Sequence, residues 1–263
     1  MKVLFCLADL IMNRIVLTGS TGFIGSSLLA SLSKKHEIFC IDHSNGNPNF
    51  PSLGFNNCFD QVSKARLQSF SPTHLIHCAA IAHRAPPRSF KSRAALASVN
   101  IDLPLALGSL AVELGIKQYI FISSVGVHGL GIGCPVSESS AISPANPYSV
   151  SKSIAELRLS SLFSKADTEL TVFRPSLVYG EGCPGNLSLL IKAIDLGLPF
   201  PFLSVRNQRS FLAIENLVSV ISRSLSCSAA YGKSFVVSDS ELISTPELLE
   251  LISNVRGKPL RLF

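Results

Sequence analysis

The chain has 263 residues, room for one to two domains at ~150 residues each. Hydrophobic residues make up 47% and charged residues 15%, against about 25% charged in an ordinary globular domain, and this excludes a disordered, solvating polymer. The formal net charge of +6 suits an anionic ligand, but the basic residues are scattered and not interleaved with aromatics, so nucleic acid is not an expected partner.

Met1 to Ile11 starts like a leader, with a Lys before apolar residues. Asp9 interrupts it and no small-residue cleavage site follows. Met12 is therefore expected to be the natural start and residues 1–11 an N-terminal extension. RIVLTG (Arg14 to Gly19) predicts a buried strand, Phe23 to Ser33 a helix and Glu37 to Asp42 a second strand. Asn45 to Phe55, rich in Asn, Pro and Gly, predicts a loop. A short strand near Cys58 and Phe59 and a helix over Ser63 to Phe70 follow. His74 to Ala80 predicts a strand, and Ala94 to Leu114 a long helix bent at Pro104. Gln118 to Ser124 is the next strand. A glycine-rich loop leads to a helix around Tyr148 to Phe163, and Glu169 to Pro175 is one more strand.

Strands alternating with helices predict an α/β fold with a doubly wound parallel sheet. The near-continuous apolar strands agree, since both sheet faces are then covered. Beyond Pro175 the rhythm stops, and Pro, Gly and Asn become frequent through Pro201. A helix over Ile214 to Ser224 and a strand over Lys233 to Asp239 predict a return to the first sheet.

No apolar run reaches the ~18 residues of a membrane helix, so no membrane is expected. Seven cysteines without a C-x-x-C pair indicate neither a zinc ribbon nor a disulfide framework. Reduced thiols and a cytoplasmic setting are the default. His74, His77 and Cys78 share a predicted strand whose side chains alternate faces, so a packed strand is expected there and no metal site.

Thr18-Gly19-Ser20-Thr21-Gly22-Phe23-Ile24-Gly25 joins the first strand to the first helix with G-x-x-G-x-x-G spacing. The first glycine permits a tight turn. The second lets backbone amides approach a pyrophosphate, and the third allows close helix–strand packing. The helix N-terminus then favours phosphate. Asp42 ends the second strand about 20 residues on, where a carboxylate accepts hydrogen bonds from adenosine ribose hydroxyls. Its charge would repel a 2′-phosphate, so NAD is expected over NADP. Together these predict a Rossmann dinucleotide-binding sheet.

Tyr148 and Lys152 stand four apart on one predicted helix face, with Asn146 as a cap and Pro147 in the first turn. An ammonium beside a phenol is expected to lower the phenol's pKa, which suits a general acid or base. Ser124, at a strand carboxyl end, can bond the same substrate oxygen. Joined to the glycine turn, the three groups predict an active site.

These motifs bring the chain close to a known group. With TGSTGFIG, Asp42, HCAAIAH, FISSVGVHG, PYSVSK and FRPSLVYG in order, it resembles the extended short-chain dehydrogenase/reductase family, in its NAD-dependent epimerase/dehydratase branch. QRSFLAIENLV and STPELLELISNVRGKPLRL extend the likeness over nearly the whole chain. The resemblance implies that Gly19, Gly22, Phe23, Ile24 and Gly25 bind pyrophosphate and that Asp42 binds the adenosine ribose. By the same likeness Asp60 and Gln61 touch adenine, and Ala79, Ala80 and Ile81 line the cofactor's phosphates and ribose. Ser124, Tyr148 and Lys152 are then catalytic, with Tyr148 and Lys152 also at the cofactor. Pro175 lies beside the nicotinamide. Asn186 and Arg209 resemble residues that meet a substrate diphosphate, although a turn residue and a surface charge are the plain readings of the two.

The chain departs from that pattern in two ways. Dehydratases of the branch carry Asp-Glu after the catalytic Ser/Thr, whereas Val125 and Gly126 stand here, so no carboxylic acid is placed to expel a hydroxyl. Family members also usually continue past this C-terminus. The resemblance therefore implies a Rossmann domain over 12–174, with 211–238 returning to it. A smaller, curtailed substrate domain is expected over 175–210 and 239–263. The implied activity is an NAD-dependent nucleotide-sugar 4-epimerase, with a UDP-sugar as partner and a homodimer formed through the 94–114 and 148–163 helices. A 4-keto sugar-nucleotide reductase and a non-catalytic dinucleotide sensor are the rival expectations.

Overall fold

Arg14–Thr18 (β1) is apolar along nearly its whole length because neither of its faces meets water. It pairs in parallel with Glu37–Asp42 (β2) on one side and His74–His77 (β4) on the other. The computed structural model describes residues 12–43, 49–55, 58–82, 89–129 and 135–263, and the expected extension over 1–11 lies outside them. Ser52–Gly54 (β3), Gln118–Ile122 (β5), Glu169–Pro175 (β6) and Ser234–Val237 (β9) complete a seven-stranded sheet, all parallel, in the order β3-β2-β1-β4-β5-β6-β9. The order reverses between β1 and β4. Ligands of such sheets bind at that switch point, outside the strand carboxyl ends.

Helices cover both faces, which makes the fold the doubly wound Rossmann type expected from the sequence. Phe23–Leu32 (α1) and Ile214–Ser224 (α7) cover one face, where Leu28, Leu217 and Ile221 pack on Ile15, Leu17 and Ile120. Gln61–Phe70 (α2), Leu103–Glu113 (α4) and Pro147–Phe163 (α5) cover the other, where Leu67, Leu107 and Leu159 meet Val16, Leu75 and Tyr119. After Pro175 the chain leaves this sheet. Leu177–Tyr179 (β7), Arg209–Ala213 (β8) and Leu242–Ile243 (β10) form a second, three-stranded sheet. Beside it Asn186–Asp195 (α6) and Thr245–Arg256 (α8) enclose a small cluster of Ile194, Phe200 and Leu249.

Several expectations are corrected. The strand expected near Cys58 and Phe59 is a turn, and β3 instead lies inside the expected loop, at Ser52–Gly54. Burial of Leu53 against the core outweighs the local turn composition there. α2 begins two residues before Ser63 because the Asp60 carboxylate caps it, accepting from Ser63 N at 2.8 Å. β4 and β5 stop at His77 and Ile122, before the loops that line the switch point. The helix expected from Ala94 starts at Phe90 (α3, Phe90–Ala97), capped by Ser89. Pro104 bends nothing by itself. The chain widens into a π-turn over Ser98–Asp102 just before it, with Leu103 N–H donating to Ser98 O.

By length and mean hydropathy the continuous helical stretch Phe90–Glu113 could cross a bilayer, although no uninterrupted apolar run suggested it. Its Leu107, Leu110 and Ala111 are buried against the sheet, as in a core helix.

Candidate active site

The glycine turn sits at the switch point, and its geometry shows why glycine is needed. Gly19 adopts φ +72°, and a Cβ there would lie 2.7 Å from Ala79 N. A Cβ on Gly25 would lie 2.0 Å from Gly19 O, so α1 can pack on the turn only without a side chain. The turn is pinned by Gly19 N–H to Ile41 O (3.1 Å) and Gly22 N–H to Gly19 O (3.0 Å). Gly22 is the N-cap of α1 and no side chain covers the first-turn amides, including those of Phe23, Ile24 and Gly25. Those donors and the helix dipole fit a phosphate.

Asp42 is 1% exposed and has no cation beside it among the described residues. Ser20 holds it instead, with the backbone N–H donating to Oδ1 at 2.7 Å and the hydroxyl to Oδ2 at 2.5 Å. Lone pairs remain for ribose hydroxyls. Ala79 is buried against Gly19, with its N–H directed at Thr18 Oγ1 (3.4 Å), and Ala80 and Ile81 are half-buried beyond it. The residues present thus fit a dinucleotide. The Asp60 carboxylate is used as the α2 cap and Gln61 is exposed.

Ser124 follows β5 and caps a short 3-10 turn, Val125–His128, its hydroxyl accepting from Gly126 N at 3.1 Å. The neighbouring Ser123 is the buried one, and its hydroxyl has no hydrogen-bond partner among the described residues. α5 is capped by Asn146, which accepts from Ser149 N at 2.9 Å, with Pro147 in the first turn. This puts the half-buried Tyr148 at the helix start and Lys152 one turn deeper, 1% exposed. Lys152 Nζ donates to Ile122 O at 2.8 Å and lies 4.5 Å from the Phe121 ring centre.

The electrostatics differ from expectation. Burial pushes the Tyr148 phenol up to about 12 and the Lys152 ammonium down to about 8. The expected lowering of the phenol is absent here because the ammonium is spent on Ile122 O and desolvation dominates both groups. Pro175 is buried at the end of β6. Asn186 is exposed in the first turn of α6 and Arg209 is exposed at the start of β8.

The two histidines of β4 face opposite ways. His74 Nε2 meets Leu225 O at 3.0 Å, while His77 Nδ1 meets Thr18 Oγ1 at 2.8 Å and its ring stacks on Phe121.

Sequence reasoning missed three groups. Ser20 carries no motif signal apart from its place in the turn. Asn100, fully buried in the π-turn, accepts from Ile81 N (2.8 Å) and donates to Ile81 O (3.1 Å) and Ser151 Oγ (3.0 Å). It thereby joins the cofactor-side loop to the helix carrying Tyr148, and an Asn inside an apolar helix is the signal that could have exposed it. The third group is the ion pair of Glu156 with Arg174, 2.6 Å apart and buried under α5. Glu156 follows Lys152 by one helical turn, which was visible in the sequence.

The fold and site together define a dinucleotide-binding protein of the extended short-chain dehydrogenase/reductase type. Residues 15–238 match the NAD dependent epimerase/dehydratase family, and the chain belongs to that family, with NAD as its cofactor. It is 33% identical to a UDP-glucose 4-epimerase of Vibrio cholerae over 97% of this chain and 79% of that protein. It is 30% identical to the N-acetyl-alpha-D-glucosaminyl-diphospho-ditrans,octacis-undecaprenol 4-epimerase of Escherichia coli O157:H7, over 83% of this chain and 65% of that one. Among solved structures it is similar in fold to the Bordetella bronchiseptica enzyme WbmG in complex with NAD and UDP. That TM-score is 0.79 at 22% identity, covering 96% of this chain and 81% of that one. A UDP-N-acetylglucosamine 4-epimerase from Methanobrevibacter ruminantium gives 0.81 at 23% identity, covering 96% and 85%.

Proposed function

We propose that the protein is an NAD-dependent nucleotide-sugar 4-epimerase with a UDP-sugar as substrate. The observation that carries this is that α5, which bears Tyr148 and Lys152, packs against the 3-10 turn that Ser124 opens, with Val125 and Gly126 where a dehydratase needs carboxylates. The similarity to 4-epimerases from two bacteria points the same way. Gly19, Gly22, Phe23, Ile24 and Gly25 hold the cofactor's pyrophosphate, Asp42 its adenosine ribose, and Ala79, Ala80, Ile81 and Pro175 line it. Asp60 and Gln61 flank the adenine side. NAD supplies reversible hydride acceptance at the sugar C4.

Tyr148 takes the proton of the 4-hydroxyl and later returns it. Ser124 shares the hydrogen bond to that oxygen. Lys152 has a flexible stem and an ammonium poised at about 8. Its move from Ile122 O towards the phenol brings the charge that a phenolate needs. With NAD held in the cradle, the flat 4-keto sugar would turn over and take hydride back on its other face. Asn186 and Arg209 meet the diphosphate.

Residues 12–174 with 211–238 form the cofactor part, and 175–210 with 239–263 the substrate part. The protein pairs as a homodimer through the 94–114 and 148–163 helices. Phe90 beside them and Leu157 within α5 are 88% and 73% exposed. The free thiols of Cys40, Cys58, Cys78, Cys183 and Cys227 suit a cytoplasmic setting.

Purified protein with NAD and a UDP-hexose tests the reading by proton NMR. The expected result is the 4-epimer with no added reductant. Turnover only with a 4-keto sugar nucleotide and NADH, or NAD binding with no turnover at all, overturns it in favour of a reductase or a non-catalytic sensor respectively.

A further inference from the structure

One guanidinium under α5 touches all the elements that carry the reacting groups. Arg174, on β6 and next to Pro175, donates from Nη2 to Glu156 Oε2 at 2.6 Å and from Nε to both carboxylate oxygens at 3.2 Å. Glu156 lies on α5, one turn beyond Lys152 and two beyond Tyr148. On its other side Arg174 Nη1 lies 3.2 Å from His128 Nε2. His128 closes the 3-10 turn that Ser124 opens. All three side chains are buried.

The chemistry fixes the state of His128. Arginine has donors only, so Nε2 must accept and carries no proton. His128 Nδ1 lies 3.1 Å from Ala141 O, which can only accept, so Nδ1 carries the proton. The neutral Nδ1–H tautomer satisfies both neighbours, and neither the imidazolium nor the other tautomer does. The bond to Ala141 also fastens the segment leading to Asn146 and Tyr148. Ser143 N–H to Val127 O at 2.9 Å fastens it a second time. In the same segment Glu138, the other carboxylate facing this cluster among the described residues, accepts from Val236 N on the edge strand at 2.9 Å.

We propose that His128, locked as the Nδ1–H tautomer by Arg174, is a positioning residue that sets Ser124 against Tyr148. This goes beyond the assignment of the three reacting groups and rests on it. Arg174 carries the alignment from α5 to the Ser124 turn, and His128 is the link that the turn itself supplies.

The test compares His128→Phe, which keeps a ring but loses both bonds, with His128→Gln, which keeps an acceptor for Arg174. The first readout needs no substrate. Amide exchange at Gly126, whose N–H donates to Ser124, is expected to quicken at least ten-fold in His128→Phe and to recover in His128→Gln, while α1 amides stay unchanged. The second is steady-state epimerisation, where His128→Phe is expected to lower kcat at least ten-fold with KM unchanged and His128→Gln to restore most of it. If His128→Phe unfolds, the Gly126 exchange and kcat of His128→Gln against Arg174→Lys carry the comparison, with Arg174→Lys expected to be the looser and slower. Unchanged Gly126 exchange, or an unchanged kcat in an active enzyme, overturns the proposal. A wild-type protein that turns over no UDP-sugar defeats the functional reading instead, and the exchange result then still decides the positioning.

Discussion

The seven-stranded sheet and the α6–α8 unit of this protein are built to different standards. The seven-stranded sheet is buried on both faces by large apolar clusters, and its carboxyl ends hold the glycine turn, Asp42, Ser124 and α5 in hydrogen-bonded positions. Beyond it, α6 and α8 enclose a small core of three buried apolar residues, Ile194, Phe200 and Leu249, whereas Leu212 of the three-stranded sheet packs into the large cluster. Around the small core Leu196 is 75% and Val255 86% exposed. Local stability follows buried apolar contact, so the seven-stranded sheet is the more rigid region and the α6–α8 unit the more compliant one.

The comparison breaks most sharply at glycine. Gly25→Ala forces a Cβ to 2.0 Å from Gly19 O and is expected to cost more than ~4 kcal/mol, seen as loss of the cooperative melt and of NAD binding. Gly182→Ala, in the second region with φ +73° and nothing within 4 Å, is expected to cost only about 1 kcal/mol of backbone strain. Equal effects would erase the distinction.

At the reacting groups, Tyr148→Phe is expected to lower kcat about 10²–10⁴-fold while calorimetry shows NAD binding retained. Weaker NAD binding would move Tyr148 from chemistry to structure.

Core truncation sharpens the same contrast. Leu28→Ala and Leu249→Ala each remove a fully buried side chain and are expected to cost ~2–5 kcal/mol. Hydrogen exchange should show Leu28→Ala loosening the whole seven-stranded sheet and Leu249→Ala loosening only α6 and α8. Global loosening by Leu249→Ala would mean that the two regions unfold as one.

A further effect is a pH dependence that belongs to the large sheet. Burial lowers His74 from 6.5 to about 4. The unfolded chain therefore binds a proton between those values that the folded chain does not, so stability falls as pH drops from about 6.5 to about 4. Urea midpoints across that range, with His74→Gln flattening the fall, check the sign.

How much of this could be read from the sequence divides along the same line. β1, β2, β6 and α5 were legible because doubly buried strands are continuously apolar and because Asn146 and Pro147 mark a helix start. β3 was not, because three residues within an Asn-, Pro- and Gly-rich stretch owe their strand to pairing with β2. The proposed reacting groups, Ser124, Tyr148 and Lys152, stand out through spacing. Their supports do not, since the hold of Ser20 on Asp42, of Asn100 on Ile81 and of Arg174 on His128 joins residues between 19 and 46 positions apart. The opposed shifts of Tyr148 and Lys152 also come from burial, which spacing does not report.

The central claim is a hydride taken from and returned to the same sugar carbon with Tyr148 as the proton carrier. It is tested most directly with a UDP-hexose deuterated at C4, followed by NMR of the recovered sugar nucleotides. The account predicts a 4-epimer that keeps its deuterium at C4, formed by the wild type and slowed in Tyr148→Phe. A 4-epimer carrying solvent hydrogen at C4, or full activity in Tyr148→Phe, would contradict it.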